Sequence, residues 1–167
     1  MRLSYSLALT GIAVAAPATV TTAATIDLTV TIPKLTVAEY HKPYVAIFVE
    51  QPGGTVAPKT LAVWYDLGKR NNAGTKWVNE MRTWWRKGGR TMKLPADGIS
   101  GATHAPGPAK VTLNTGDLPV GKYDLVVEAS REGGGREVVR LPINLAGGTA
   151  KASGTNELGA VTAVVKK

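Results

Sequence analysis

Alternation of polar and apolar residues is the feature that most constrains how this chain can fold. Residues 25–32 alternate without a break, and residues 122–131 largely repeat the pattern. A period of two residues is that of a β-strand with one buried face. The residues predicted to face inward are Ile26, Leu28, Val30, Ile32, Tyr123, Leu125, Val127 and Ala129. Strands of this kind predict two sheets packed face to face.

Turn-forming residues separate the other predicted strands. Residues 44–50 are almost uniformly apolar and end at a Pro-Gly-Gly turn, so residues 61–66 are their predicted hairpin partner. Residues 137–143 follow a glycine-rich turn and are predicted to pair with residues 122–131. Shorter strands are predicted at residues 110–113 and 159–165. The whole pattern predicts an all-β sandwich of about seven to eight strands.

One helix is predicted to be inserted in the sandwich, at residues 75–88. Trp77, Met81 and Trp84 recur there at helical spacing, and the glycines at 88 and 89 end the pattern. We expect Trp77 and Trp84 to cover the sandwich. Trp85 points to another side of this helix and is expected to be exposed.

The first 24 residues resemble a secretory signal peptide. Arg2 precedes an apolar segment that is shorter than the about 20 residues of a membrane-spanning helix. We therefore predict a signal peptide at residues 1–24 and a sandwich domain at residues 25–148. Residues 149–167 are predicted to hold a last strand and a flexible basic tail. The signal peptide predicts a periplasmic protein.

Composition narrows the chemistry available to the chain. It has no cysteine, which excludes disulfides, iron–sulfur clusters, thiolate zinc sites and c-type haem. His41 and His104 lie too far apart in sequence to predict a metal site. The formal net charge of +8 falls to +7 without Arg2, which favours anionic lipid or acidic partners. Export makes nucleic acid an unexpected partner.

Residues 97–103 hold residue types that suit chemistry better than packing. One hydroxyl nucleophile, Thr103, follows three small residues, and a carboxylate, Asp97, lies six positions upstream. The small residues are Ser100, Gly101 and Ala102. Prolines on both sides predict an exposed loop that another protein can bind. The alternative is an ordinary turn in which Asp97 makes an Asx-turn or a cap.

This segment resembles the flavinylation motif Asp-x-x-(Ser/Thr)-Gly-Ala-Thr of extracytoplasmic redox proteins. All five fixed positions match. The resemblance implies that an FAD:protein FMN transferase of the ApbE type esterifies Thr103 with FMN. A threonine hydroxyl is a poor nucleophile without a base, so the transferase would supply the metal and base. Asp97 would serve in recognition or orientation.

A wider resemblance extends over about residues 26–145. The strand at residues 44–50, the Trp84-Trp85 pair, the motif and the strand that starts near Gly121 resemble a family of predicted periplasmic proteins of uncharacterised function. The resemblance implies an immunoglobulin-like sandwich. It also implies a flavin carrier that accompanies an FMN transferase, with a PepSY-type membrane protein as electron donor. Position 104 departs from the family, because His104 stands where a basic Arg is common.

Several side chains near the motif are candidates for contact with the cofactor. An exposed Trp85 could stack on a flavin ring, and Arg82, Arg86 or Arg90 could pair with its phosphate. His104 could contact the phosphate only when it is protonated.

Two other classes of function fit parts of the sequence. A cofactor-free, immunoglobulin-like binding or adaptor domain would show the same strand pattern, because fold does not fix function. A hydrolytic triad of Ser100, His104 and Asp97 is disfavoured, because triads are assembled from separate elements and no Gly-x-Ser-x-Gly elbow surrounds Ser100. The chain is therefore more consistent with a redox carrier than with a catalyst.

Overall fold

A computed structural model describes residues 23–54 and 58–167 of the chain. The predicted all-β sandwich is confirmed, with nine strands in two sheets where about seven to eight were expected. The strands are β1 (Thr25–Ile32), β2 (Tyr44–Glu50), β3 (Lys59–Tyr65), β4 (Ser100–Ala102), β5 (Gly107–Asn114), β6 (Lys122–Ser130), β7 (Arg136–Asn144), β8 (Gly148–Ser153) and β9 (Ala160–Lys166).

The two sheets have the strand orders β5-β1-β9-β8 and β4-β3-β2-β6-β7. Both predicted hairpins are confirmed, because β2 pairs with β3 and β6 pairs with β7 in antiparallel register. β4 is the one strand of the described residues that pairs in parallel, and it lies at an edge of the five-stranded sheet. The sequence pattern did not predict β4 or β8.

The main hydrophobic core lies between the two sheets. All the residues predicted to face inward from β1 and β6 are buried there. β2 and β6 are buried on both faces, since Phe48 and Val126 on the other side are also fully inaccessible. A second core therefore covers the outer face of the five-stranded sheet.

Residues 70–91, which we call the helical layer, form this cover. The prediction of a single helix at residues 75–88 is wrong. The layer consists instead of a 3₁₀ segment (Arg70–Glu80), a short α-helix, α1 (Arg82–Lys87), and a 3₁₀ turn (Gly89–Thr91). Met81 and Trp84 are buried against the sheet, as expected. Trp77 is 44% exposed, because the chain changes direction at Met81 and breaks the helical face that was to join them.

Two buried carboxylates fix α1 to the sheet. Glu128 in β6 is fully buried, and it accepts hydrogen bonds from the backbone N–H groups of Thr83 and Trp84 at 2.9 and 2.7 Å. These groups lie in the first turn of α1, where N–H groups lack partners within the helix. At the other end, Lys87 bonds to Glu50 in β2. The sheet therefore determines where this helix begins and ends.

Residues 149–167 belong largely to the four-stranded sheet. β8 and β9 pair with each other, and β9 lies between β1 and β8. The predicted signal peptide lies outside the described residues except for positions 23 and 24. Ala24 is buried, and its carbonyl accepts a hydrogen bond from Thr115 N at 3.0 Å. Within residues 23–54 and 58–167, no helix is long and apolar enough to cross a membrane.

Candidate functional site

Strand pairing brings several loops to one end of the five-stranded sheet. The start of β2 lies beside the ends of β3 and β6, because both neighbours are antiparallel to it. The start of β7 lies beside the end of β6. Since β4 runs parallel to β3, its end lies at the same edge, with Ala102 opposite Tyr65. Thr103 directly follows β4 and is therefore placed among these loops.

The first half of the motif forms a tight turn. The backbone N–H groups of Ile99 and Ser100 donate to the carbonyl of Ala96 at 3.2 and 2.9 Å. Ser100 Oγ closes the turn by accepting from Ala96 N at 2.9 Å. Gly98 has a φ of +69°, a conformation that glycine adopts without strain. The Ser100 hydroxyl is thus engaged in shaping the loop.

Asp97 lies exposed in this turn. Its carboxylate makes no hydrogen bond or ion pair with any residue of the described part of the chain, so no Asx-turn or cap holds it there. An exposed, unengaged carboxylate is available to an approaching protein.

The second half of the motif packs against Trp64. A Cβ on Gly101 would lie 2.8 Å from Trp64 Cδ1. Any residue other than glycine at this position would therefore force the strand or the indole to move. The His104 ring packs edge-on against the same indole, with the ring centroids 4.4 Å apart. Contacts with Trp64 therefore hold the chain both before Thr103, at Gly101, and after it, at His104.

Thr103 lines a cleft of about 770 Å³ at this end of the sheet, which we call the Thr103 cavity. Its walls come from residues 40–44, residues 66–69, residues 77–82 of the helical layer and the glycine-rich turn between β6 and β7. Glu157 holds that turn in place, because it accepts from the Arg131 guanidinium at 2.9 and 3.0 Å and from Gly135 N at 2.9 Å.

Basic side chains outnumber acidic ones around the Thr103 cavity. The lining cations are Lys42, Lys69, Arg82, Arg131 and Arg136, and the lining carboxylates are Asp66, Glu80 and Glu132. Ion pairs occupy Lys69 with Asp66 at 3.0 Å and Arg82 with Glu80 at 3.4 Å. Lys42 is exposed and has no ion-pair partner among the residues that the structure describes.

Two tyrosine hydroxyls in the cavity wall have no hydrogen-bond partner among the described residues, those of Tyr40 and Tyr44. Tyr44 is only 8% exposed. Burial, together with the nearby Asp66 carboxylate, raises the pKa of Tyr44 to about 12. The phenol is therefore neutral at physiological pH and keeps a proton to donate.

A family model described as Predicted periplasmic protein (DUF2271) matches residues 25–160. The chain belongs to this family. Comparisons with curated proteins and with solved structures gave no match. The DUF2271 match spans the complete five-stranded sheet and every loop that lines the Thr103 cavity, so the candidate site lies within the matched residues.

The DUF2271 fold brings together only some of the residues singled out in the sequence. Thr103 and Arg82 line the cavity, Ser100, Gly101 and Ala102 form the adjoining strand, and Asp97 lies on the loop before it. Trp85 is half-buried against the second core and does not line the cavity, nor do His104, Arg86 and Arg90. The indole that does line it is Trp77.

Sequence reasoning missed Trp77, Tyr40 and Tyr44 as site residues. Tyr44 lies in an apolar segment typical of a core strand, and Trp77 shared a helical spacing with buried residues. The exposed 44% of Trp77 depends on the break at Met81, for which the sequence pattern gives no signal.

The geometry gives no support to hydrolytic or metal chemistry at the motif. Ser100 Oγ bonds to Ala96 N, His104 packs on Trp64, and Asp97 has no described partner, so no Ser-His-Asp chain of hydrogen bonds is formed. The residues that the structure describes include no cluster of three or more His, Asp or Glu side chains able to hold a metal ion.

Proposed function

We propose that this protein is an extracytoplasmic electron carrier in which Thr103 bears FMN through a phosphoester. The observation that carries the proposal is the position of the motif threonine. Thr103 matches the last position of a flavinylation motif, and it lines an open cleft at the end of an edge strand.

The residues present fit a flavin. A volume of about 770 Å³ lies within the roughly 300–1,000 Å³ typical of pockets for cofactor-sized ligands. The cleft offers aromatic surface from Trp77 and Tyr40, and the neutral hydroxyl of Tyr44 lacks a partner among the described residues. A flat ring system with hydrogen-bonding edges matches that combination of groups.

The modification balances as a phosphoryl transfer from FAD. The bond between Thr103 Oγ and the FMN phosphorus forms, the pyrophosphate P–O bond of FAD breaks, and AMP leaves. The hydroxyl proton passes to a base of the transferase, because no carboxylate or histidine of the described chain bonds to Thr103. The contribution of this chain is to hold the hydroxyl in a fixed, accessible loop.

The roles proposed for the other motif residues follow from their contacts. Ser100 shapes the turn through Ala96, and Gly101 permits the packing of β4 against Trp64. Ala102 is exposed and keeps side-chain bulk low beside the hydroxyl. Asp97, exposed and unengaged, is the group we assign to recognition by the transferase.

A bound flavin would supply reversible electron transfer, and the protein would carry that cofactor between partners. We propose a PepSY-type membrane protein as the electron donor. The basic character of the chain supports docking on an acidic surface, since opposite charge speeds encounter between partners.

Intact mass of the mature protein, exported together with an FMN transferase, tests the proposal. We expect the wild type to gain one FMN less one water and to stay yellow after denaturation. Thr103→Ala should stay unmodified, whereas Thr103→Ser should keep some modification. Thr91→Ala, which changes an exposed threonine of the helical layer, is the matched control and should be modified like the wild type.

An unmodified wild type would overturn the proposal and leave a cofactor-free periplasmic adaptor domain. Asp97→Ala separates recognition from folding. It should reduce the modified fraction while its unfolding midpoint stays at the wild-type value, because the side chain has no described partner to lose.

A further inference from the structure

Trp77 and Tyr44 both line the Thr103 cavity, but Trp77 is exposed and Tyr44 is buried. Trp77 leaves 44% of its surface exposed, although Met81 and Trp84 nearby in the same layer are buried. A large exposed aromatic ring has no packing role on the side that faces solvent. Trp77 therefore presents a flat apolar face to whatever enters the cleft.

Tyr44 is a buried residue of the cavity wall, and its hydroxyl oxygen is itself inaccessible to solvent. The residue is only 8% exposed, yet Oη has no hydrogen-bond partner among the described residues. The Asp66 carboxylate lies close enough to raise the pKa of Tyr44, and it also pairs with Lys69 Nζ at 3.0 Å. Buried polar groups without partners are rare in folded proteins, so the Tyr44 hydroxyl behind this wall is a candidate contact for a ligand that enters the cavity.

We propose that the isoalloxazine ring of the flavin on Thr103 lies inside the Thr103 cavity, stacked on Trp77 and hydrogen-bonded by the Tyr44 hydroxyl. This inference rests on the proposed function and adds to it where the ring lies and which residues hold it. Because Thr103 itself lines the cavity, a phosphoester on Oγ starts at the rim, and the ribityl chain can lead the ring inward.

The chain offers a matched control for each residue. Tyr65 is also buried with an unpartnered hydroxyl, and its ring lies 6.4 Å from that of Tyr44, but it does not line the cavity. Trp85 is another partly buried indole of the helical layer and lies outside the cavity lining. Changes at Tyr65 and Trp85 thus test for general effects on folding.

The experiment uses the exported, flavinylated protein and begins with intact mass, which reports the covalent FMN independently of where the ring lies. Flavin fluorescence is then compared before and after complete proteolysis of the same sample. A ring stacked on an indole is quenched, so we expect digestion to raise the emission several-fold. The visible circular dichroism of the flavin should be strong before digestion and weak after it.

Variants then assign the two contacts. Trp77→Leu should bring the fluorescence of the intact protein close to that of the digest, and Trp77→Phe should restore part of the quenching. Tyr44→Phe should shift the visible flavin absorption and circular dichroism. Trp85→Leu and Tyr65→Phe should leave both spectra at the wild-type values.

The outcomes separate the two proposals. Absence of FMN by mass overturns the carrier function and the ring position together. Covalent FMN with emission that does not change on digestion, or with spectra that respond equally to Trp77→Leu and Trp85→Leu, overturns the ring position alone. That second result would describe a flavin carried in solvent on the Thr103 loop.

Discussion

Gly101 has a structural reason to be glycine that is independent of any enzyme. β4 packs so closely on Trp64 that a Cβ at position 101 would come within 2.8 Å of the indole. Trp64 is itself only 3% exposed and belongs to the core between the sheets. The motif residue and the core are therefore coupled through one contact.

We expect Gly101→Ala to destabilise the protein by about 1–3 kcal/mol, the usual cost of overpacking a closely packed site. The indole must move, and it contacts both the core and the His104 ring. Urea unfolding monitored by tryptophan fluorescence measures the loss. Gly68→Ala is the control, because a Cβ there meets no atom within 4 Å, and it should leave the midpoint nearly unchanged. Equal midpoints for both variants would contradict the packing explanation.

At the scale of elements, α1 depends on a carboxylate that lies outside its own sequence. Glu128 accepts from two N–H groups of the first helical turn and from the Arg136 guanidinium at 2.8 Å. A helix of six residues is too short to be stable alone in water. Its position is therefore set by tertiary contacts. Helical periodicity within residues 75–88 does not report such contacts, and it predicted one longer helix.

Glu128→Gln should destabilise the protein by roughly 2–4 kcal/mol, because the amide leaves Arg136 without its charged partner and cannot accept all three bonds. The free energy of unfolding in urea gives the value. Asp124→Asn is the matched control on the same strand, and we expect a change within about 0.5 kcal/mol. A similar loss in both variants would indicate a general effect of charge on β6.

The turn between β8 and β9 is held in the same manner by Glu137 of β7. Burial raises the pKa of Glu137, but backbone N–H groups of Thr155, Leu158 and Asn156 outweigh it, and the net pKa lies below the ordinary 4.5. A carboxyl group whose pKa is lower in the folded state stabilises the protein above its unfolded pKa. That contribution is lost as the pH falls through the folded-state pKa.

Glu137→Gln should therefore lower the unfolding midpoint most at about pH 7 and least at about pH 3. Urea titrations of wild type and variant at both pH values measure the two differences. A difference that stays constant with pH would show that the carboxylate charge has no part in holding the turn.

For the whole molecule, sequence patterns predicted the strands whose own sequence alternates polar with apolar residues or ends at a clear turn. β1, β6 and both hairpins follow from local periodicity and turn residues. β4 has only three residues, and β8, with sequence GTAKAS, lacks an alternating apolar face, so neither gives a local signal. The candidate site was predicted only as far as the motif, since Tyr44 is brought to the Thr103 cavity by strand pairing and Trp77 by the helical layer, neither of which leaves a local pattern in the sequence.

The C-terminal boundary is the part of the predicted organisation that a truncation can test. β9 fills the four-stranded sheet between β1 and β8, and residues 149–167 bury Leu158, Val161 and Val165 in the main core. At roughly 1.5–3 kcal/mol for each buried aliphatic side chain, their loss approaches the about 5–15 kcal/mol that stabilises a typical domain.

A variant that ends at Gly148 should therefore lack a cooperative unfolding transition, and its β1 edge should be open to aggregation. A variant that ends at Val165 keeps the β9 core residues and loses only the two terminal lysines, so it should unfold like the full chain. Thermal unfolding monitored by circular dichroism compares the three proteins. A cooperative transition in the variant ending at Gly148 would support the predicted boundary and make β8 and β9 an accessory to a smaller sandwich.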